Sequence, residues 1–173
     1  LFLREKLAEK RGLHPDQLVI GHGSSEIINL LAETYVDSGT EVVCGQHAFF
    51  AFKLATLANG GRCVEVPMPK FSHDLEALSA AVTDATKLLF LPSPNNPTGT
   101  MNTGDEILRL INSLPEHVIF CFDEAYAEYV DDPPDLRPLI DAGKKVICLR
   151  TFSKIYGLAG LRIGCLLYTS DAA

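Results

Sequence analysis

A chain of 173 residues, 47% of them hydrophobic, is long enough to bury the core of one domain. A net charge of −7 and the lack of any basic cluster argue against nucleic acid or an acidic membrane surface as partner, and no apolar run reaches membrane-spanning length. Five cysteines, each in an apolar run and none in a C-x-x-C pair, read as reduced core residues of a cytosolic protein, with no zinc site and no disulfide frame.

The elements alternate along the chain. Phe2 to Arg11 has helical periodicity, and Leu18 to Ile20 is a short extended piece. Ser24 to Val36 reads as an amphipathic helix with Ile27, Ile28, Leu30 and Leu31 as its apolar face. Glu41 to Cys44 reads as a strand, and His47 to Ala58 as a helix ended by Asn59-Gly60-Gly61. Strand Arg62 to Val66, helix Asp74 to Val82 and the strongly apolar strand Lys87 to Leu91 follow. Then come helix Thr103 to Leu114, the buried strand Val118 to Phe122 and a short helix Leu136 to Ala142. The series closes with strands Val146 to Leu149 and Ile163 to Leu167. Apolar strands separated by helix-length segments predict βαβ units and a mostly parallel sheet covered on both faces, a three-layer α/β/α sandwich. One domain is expected over 1–166, with 167–173 as a tail of small and polar residues that carries no function and is foreign to the gene. The chain opens in mid-helix without an initiator methionine and stops just after a strand, so a fragment is expected.

Chemistry collects at the predicted strand ends. Gly21-His22-Gly23-Ser24-Ser25-Glu26 opens a helix whose free N–H groups and dipole suit a phosphate; N-capping by Gly23 or Ser24 is the plainer reading. Around His47, Phe49, Phe50 and Phe52 an aromatic ring could stack on a flat ligand, although such clusters are more often core. Pro92-Ser93-Pro94-Asn95-Asn96-Pro97-Thr98-Gly99 is a rigid turn from which Asn96 could aim its amide at a ligand oxygen. Asp123 ends a buried strand, where a carboxylate is costly unless it meets a cation or donor. Tyr126 follows three residues later, and Glu124 and Glu128 read as a solvated or pairing face. The stretch Arg150 to Gly164 puts Thr151, Ser153 and Lys154 at the end of a strand, with Arg162 eight residues beyond the lysine. A lysine amine there can condense with a carbonyl, while the hydroxyls and Arg162 hold a phosphate.

Gly-x-Gly-Ser, Asn-Asn-Pro-Thr-Gly, Asp-Glu-Ala-Tyr and Ser-Lys with an arginine eight later, in this order, resemble the pyridoxal-phosphate aminotransferases of fold type I. Gln46-His47-Ala48-Phe49 and Arg150-Thr151-Phe152-Ser153-Lys154 look most like the histidinol-phosphate aminotransferases within that group. The resemblance covers the chain to about Gly164. It departs at His22, where asparagine is usual, at Ser25, where an acidic or amide residue is usual, and at Phe49, where many members carry tyrosine.

The resemblance implies pyridoxal 5'-phosphate as cofactor and roles for single residues. Lys154 would bind the cofactor's carbonyl and carry the proton during turnover. Asp123 would pair with the ring nitrogen, and Asn96 and Tyr126 with the phenolate oxygen. Gly23, Ser24, Ser25, Thr151, Ser153 and Arg162 would surround the phosphate, and Phe49 would stack on the ring. It further implies a cytoplasmic homodimer that exchanges an amino group between histidinol phosphate and 2-oxoglutarate, giving imidazole acetol phosphate and glutamate in histidine biosynthesis. Substrate-binding cations would come from a smaller C-terminal domain, an N-terminal arm and the partner subunit, so the chain alone would be inactive. Another amino-acid aminotransferase, aromatic ones included, and a phospho-amino-acid decarboxylase of the same fold are the alternatives; a non-catalytic domain fused to a DNA-binding module is the third.

Overall fold

The structure is a computed structural model and describes residues 2–168. Its strands are β1 (Leu18–Gly21), β2 (Glu41–Gly45), β3 (Arg62–Val66), β4 (Thr86–Pro92), β5 (Ile119–Asp123), β6 (Val146–Thr151) and β7 (Gly164–Leu167). They form one sheet in the order β1-β7-β6-β5-β4-β2-β3. The helices are α1 (Phe2–Arg11), α2 (Gly23–Tyr35), α3 (Ala51–Ala58), α4 (Leu75–Ala80), α5 (Gly104–Ser113) and α6 (Arg137–Asp141). Neighbouring strands from β3 through β2, β4 and β5 to β6 run parallel. β7 alone runs against its neighbours β6 and β1.

Successive strand side chains point to opposite faces, and the apolar runs of β2, β4, β5 and β6 fill both. Val42, Leu88, Phe90, Ile119, Cys121 and Ile147 pack with Ile27, Ile28 and Leu31 of α2 and with Phe52 and Ala55 of α3. Val43, Leu89, Leu91, Phe120, Phe122 and Val146 pack with Leu78 of α4, Ile107, Leu110 and Ile111 of α5, and Ile140 of α6. The result is the expected three-layer sandwich. Phe52 and Phe90 stack with ring centroids 4.4 Å apart. Each such buried ring contributes about 1.5–3 kcal/mol, and truncating one to alanine would cost about 3–5 kcal/mol.

Three local expectations are corrected. Leu30 is 43% exposed, because it lies roughly 110° around α2 from the middle of the Ile27–Ile28–Leu31 stripe. α3 starts at Ala51, not His47. The carbonyl of His47, which a helix starting there would use, accepts the Asn95 Nδ2 amide at 3.0 Å instead. The boundary at 166 falls inside β7, since Leu167 pairs with Leu18 and Cys148, and the Tyr168 N–H donates to the Gln17 carbonyl at 3.1 Å. The rest of the expected tail, 169–173, lies outside the described residues.

All five cysteines are free. Cys44 and Cys63, on neighbouring strands, bring their sulfurs to 3.6 Å. No described helix is long and apolar enough to cross a membrane.

Parallel strands end at one edge of the sheet, so Pro92, Asp123 and Thr151 arrive there together. β7 is antiparallel and therefore begins at that same edge, where Gly164 faces Thr151 on one side and Gly21 on the other. Ligands of α/β sheets bind at this carboxyl edge.

Candidate active site

At the β1 side of the edge, the chain passes from Gly21 through His22 into α2. His22 occupies the cap position without a side-chain hydrogen bond to the first turn, so the capping expected of Gly23 or Ser24 is not made. The first N–H groups of α2 have no side-chain cap. Gly23 has φ +74°, and a Cβ there would lie 2.6 Å from Nη2 of Arg162. A Cβ on Gly164 would lie 2.5 Å from the Ser24 nitrogen and 2.9 Å from the Gly23 Cα. Two missing side chains thus let the start of α2, the Arg162 guanidinium and the start of β7 converge. Arg162 itself is left-handed, with φ 52°, a costly conformation for a residue with a side chain. Its Nη1 donates to the Ala159 carbonyl at 3.2 Å and reaches the Ser153 hydroxyl at 3.5 Å. The Thr151 hydroxyl accepts the Ser153 N–H at 3.1 Å and turns the chain out of β6.

The middle of the edge holds the titratable pair. Asp123 is buried, and its Oδ1 accepts the Ala125 N–H at 3.1 Å. Burial pushes its carboxyl up to about 6; the Ala125 N–H pulls the other way, the Glu124 carboxylate adds to the rise, and Lys154 opposes it. The Lys154 amine stands over the Tyr126 ring, 5.0 Å from its centroid. Asn96 projects from the β4–α5 loop, where the Ser93–Pro94 and Asn96–Pro97 bonds are cis. Its neighbour Asn95 points inward and donates to the His47 carbonyl at 3.0 Å and the Thr98 hydroxyl at 2.7 Å. Asn95 thereby ties this loop to the turn carrying Phe49. The Phe49 ring is braced edge-on by Phe50 and Phe52, at 5.1 Å and 5.8 Å.

These groups line one cleft of about 220 Å³. Gly23, Ser24, Ser25 and Arg162 form one end, and Thr151, Ser153 and Lys154 one wall. Asp123 and Tyr126 line it from β5, with Asn96 and Phe49 completing it. Every site residue expected from the sequence is therefore in the same place. The donor set fits a flat, phosphate-bearing aldehyde: an open helix start with an arginine and hydroxyls for the phosphate, an amine for the aldehyde, and a buried carboxylate for a ring nitrogen. Among the described residues, no group of three or more His, Cys, Asp or Glu could hold a metal ion.

Two features escaped the sequence reading. Glu124, expected on a solvated or pairing face, does pair but is buried. Arg150 donates Nε to its Oε1 and Nη2 to its Oε2, both at 2.8 Å, and Nη1 lies 3.4 Å from Glu128. An arginine and a glutamate at neighbouring strand ends are the only sequence signal for this pair. His73, which no motif marked, is buried on the far side of Gly45, where a Cβ would lie 2.5 Å from its ring. Burial holds its imidazole down at about 4, partly opposed by the nearby Asn95 amide.

The model of the family described as aminotransferase class I and II matches residues 1–173. A histidinol-phosphate aminotransferase from Dinoroseobacter shibae is 46% identical over 162 residues, which cover 94% of this chain and 45% of that protein. One from Moorella thermoacetica is 44% identical over 166 residues, covering 94% and 43%. The crystal structure of histidinol-phosphate aminotransferase from Sinorhizobium meliloti in complex with pyridoxal-5'-phosphate superposes with a TM-score of 0.92 at 36% identity, covering 99% of this chain and 47% of that one. The chain thus spans less than half the length of these relatives.

Proposed function

The chain belongs to the class I and II aminotransferases, and from that premise we propose that the protein carrying it is a pyridoxal-phosphate-dependent histidinol-phosphate aminotransferase. The observation that carries this reading is the meeting of Lys154, Asp123 and the Ser24–Arg162 end in one cleft. The relatives bearing that name support the substrate; the aromatic and decarboxylase alternatives have less support.

Bound in the cleft, pyridoxal phosphate supplies an aldehyde carbon for the amino group and a conjugated ring that takes up electrons released at the substrate Cα. Ser24, Ser25, Thr151, Ser153 and Arg162 hold its phosphate through charge-assisted hydrogen bonds. Lys154 would hold the aldehyde carbon through its amine, and the free amine would move the proton from the substrate Cα to the former aldehyde carbon. Asp123 keeps the ring nitrogen protonated, because a cation beside it satisfies a carboxylate that burial otherwise disfavours. Asn96 and Tyr126 would donate to the phenolate oxygen, and Phe49 would cover a ring face. 2-Oxoglutarate would be the acceptor of the amino group. Residues beyond this chain and a partner subunit supply the cations for the substrate phosphate, and the protein works as a cytoplasmic homodimer.

The test has two parts. Borohydride reduction with pyridoxal phosphate should label the peptide containing Lys154; a label on Lys53 or Lys144 rejects the assignment. Comparison of kcat/KM over histidinol phosphate, phenylalanine, tyrosine, aspartate and phosphothreonine should favour histidinol phosphate. Preference for aspartate rejects the substrate, and carbon dioxide release from phosphothreonine moves the protein to the lyases.

A further inference from the structure

We propose that Arg150 is a positioning residue for this site: by clamping Glu124 across the β5–β6 boundary, it sets where Asp123 and Lys154 stand relative to each other. The inference rests on the functional reading above. The β5–β6 ladder ends at the Asp123–Leu149 pair, and its last rung is the Glu124 N–H donating to the Leu149 carbonyl at 3.1 Å. Beyond that rung the backbones part. Asp123 turns into the cleft, while β6 runs on through Thr151 to Ser153 and Lys154.

The Arg150 clamp sits at this parting. Its two parallel bonds to Glu124, each 2.8 Å, join the residue directly after Asp123 to the residue four before Lys154. The Tyr156 hydroxyl, two residues past Lys154, lies 3.3 Å from the same Glu128 oxygen that Arg150 approaches at 3.4 Å. The network therefore brackets the lysine on both sides.

None of its members touches the cleft. Glu124, Glu128, Arg150 and Tyr156 line a separate cavity of about 230 Å³, and none of them lines the cleft that holds Asp123 and Lys154. Apart from the charge of Glu124, which adds to the rise of the Asp123 carboxyl, any effect on the reaction must pass through backbone position. The Glu124 side chain is only 8% exposed and that of Arg150 26%. A pair so far removed from water is a poor source of net stability, because desolvation offsets the attraction. Its forked geometry, however, resists both sliding and rotation of one strand end against the other. Lysine would supply the charge without the fork.

The experiment uses the full-length protein with Arg150→Lys, Glu124→Gln and Arg150→Met. Cofactor-free protein is titrated with pyridoxamine phosphate by calorimetry, holoenzyme is assayed for kcat and KM separately, and folding is checked by circular dichroism and urea denaturation. Arg150→Lys should remain folded, bind pyridoxamine phosphate about tenfold more weakly, and lose kcat by about 10- to 100-fold with KM nearly unchanged, as for a reacting group displaced by up to ~1 Å. Glu124→Gln should fall between Arg150→Lys and the wild type, and these two variants decide the matter if Arg150→Met does not fold. A folded Arg150→Lys whose affinity and kcat stay within about twofold of wild type overturns the inference, even if its stability drops. Failure of the wild type to bind pyridoxamine phosphate overturns the functional reading, and this inference with it.

Discussion

Replacing Asp123 by asparagine should stabilise the cofactor-free protein at neutral pH while crippling the enzyme. Burial raises the Asp123 carboxyl from 3.8 to about 6. Between those values the folded state holds a proton that the unfolded chain has released, so stability falls as pH rises through this window. The favourable contribution is complete below about pH 4 and gone above about pH 6; a shift of roughly two units corresponds to about 3 kcal/mol. Asparagine keeps the shape, and its Oδ1 can still accept the Ala125 N–H, but it never bears the charge. Asp123→Asn should therefore match wild type near pH 4 and exceed it by up to about 3 kcal/mol at pH 7. His73 imposes an opposite slope, since its lowered value makes its contribution complete above 6.5 and lost as pH falls to about 4. Both proteins carry His73, so it cancels in the difference. Urea denaturation of the cofactor-free pair from pH 4 to 7.5 measures that difference. A difference independent of pH, or a less stable variant at pH 7, would refute the reasoning. In the holoenzyme the same change should lower kcat by several orders of magnitude, because the ring nitrogen loses its anion. Stability and activity trade against each other at one side chain.

Other outcomes follow from the same geometry. Lys154→Ala should abolish both turnover and the borohydride label, as scored by peptide mapping. Gly164→Ala should cost about 1–3 kcal/mol in urea denaturation and weaken pyridoxamine phosphate binding, because its Cβ, 2.5 Å from the Ser24 nitrogen, must push the start of α2 away; unchanged stability and affinity would sink this account. His73→Gln should flatten the loss of stability between pH 6.5 and 4, measured by the same pH series, since the neutral imidazole is what that acid limb reflects.

The apolar runs of β4 and β5 determined a sheet buried on both faces, because a strand such as Leu88–Leu91, with no polar side, cannot face water. Strand-end punctuation likewise marked Asp123, Lys154, Asn96 and the Gly23–Ser25 turn as candidates, since each breaks an otherwise apolar pattern, and they line one cleft. Local pattern ends there, because it records period and breaks but not partners distant in the chain. That β7 alone runs antiparallel, bringing Gly164 against the start of α2, depends on contacts between residues about 140 positions apart. Leu30 falls outside the apolar stripe by helix geometry alone, so its exposure was legible in the spacing. α3 starts late because Asn95, from another loop, takes the carbonyl that a longer helix would use. Glu124 read as part of a solvated or pairing face, and Arg150 only as part of a motif, until two parallel strands carried them to one end of the sheet. The same convergence of strand ends buried Asp123, and only that burial moved its carboxyl toward neutrality.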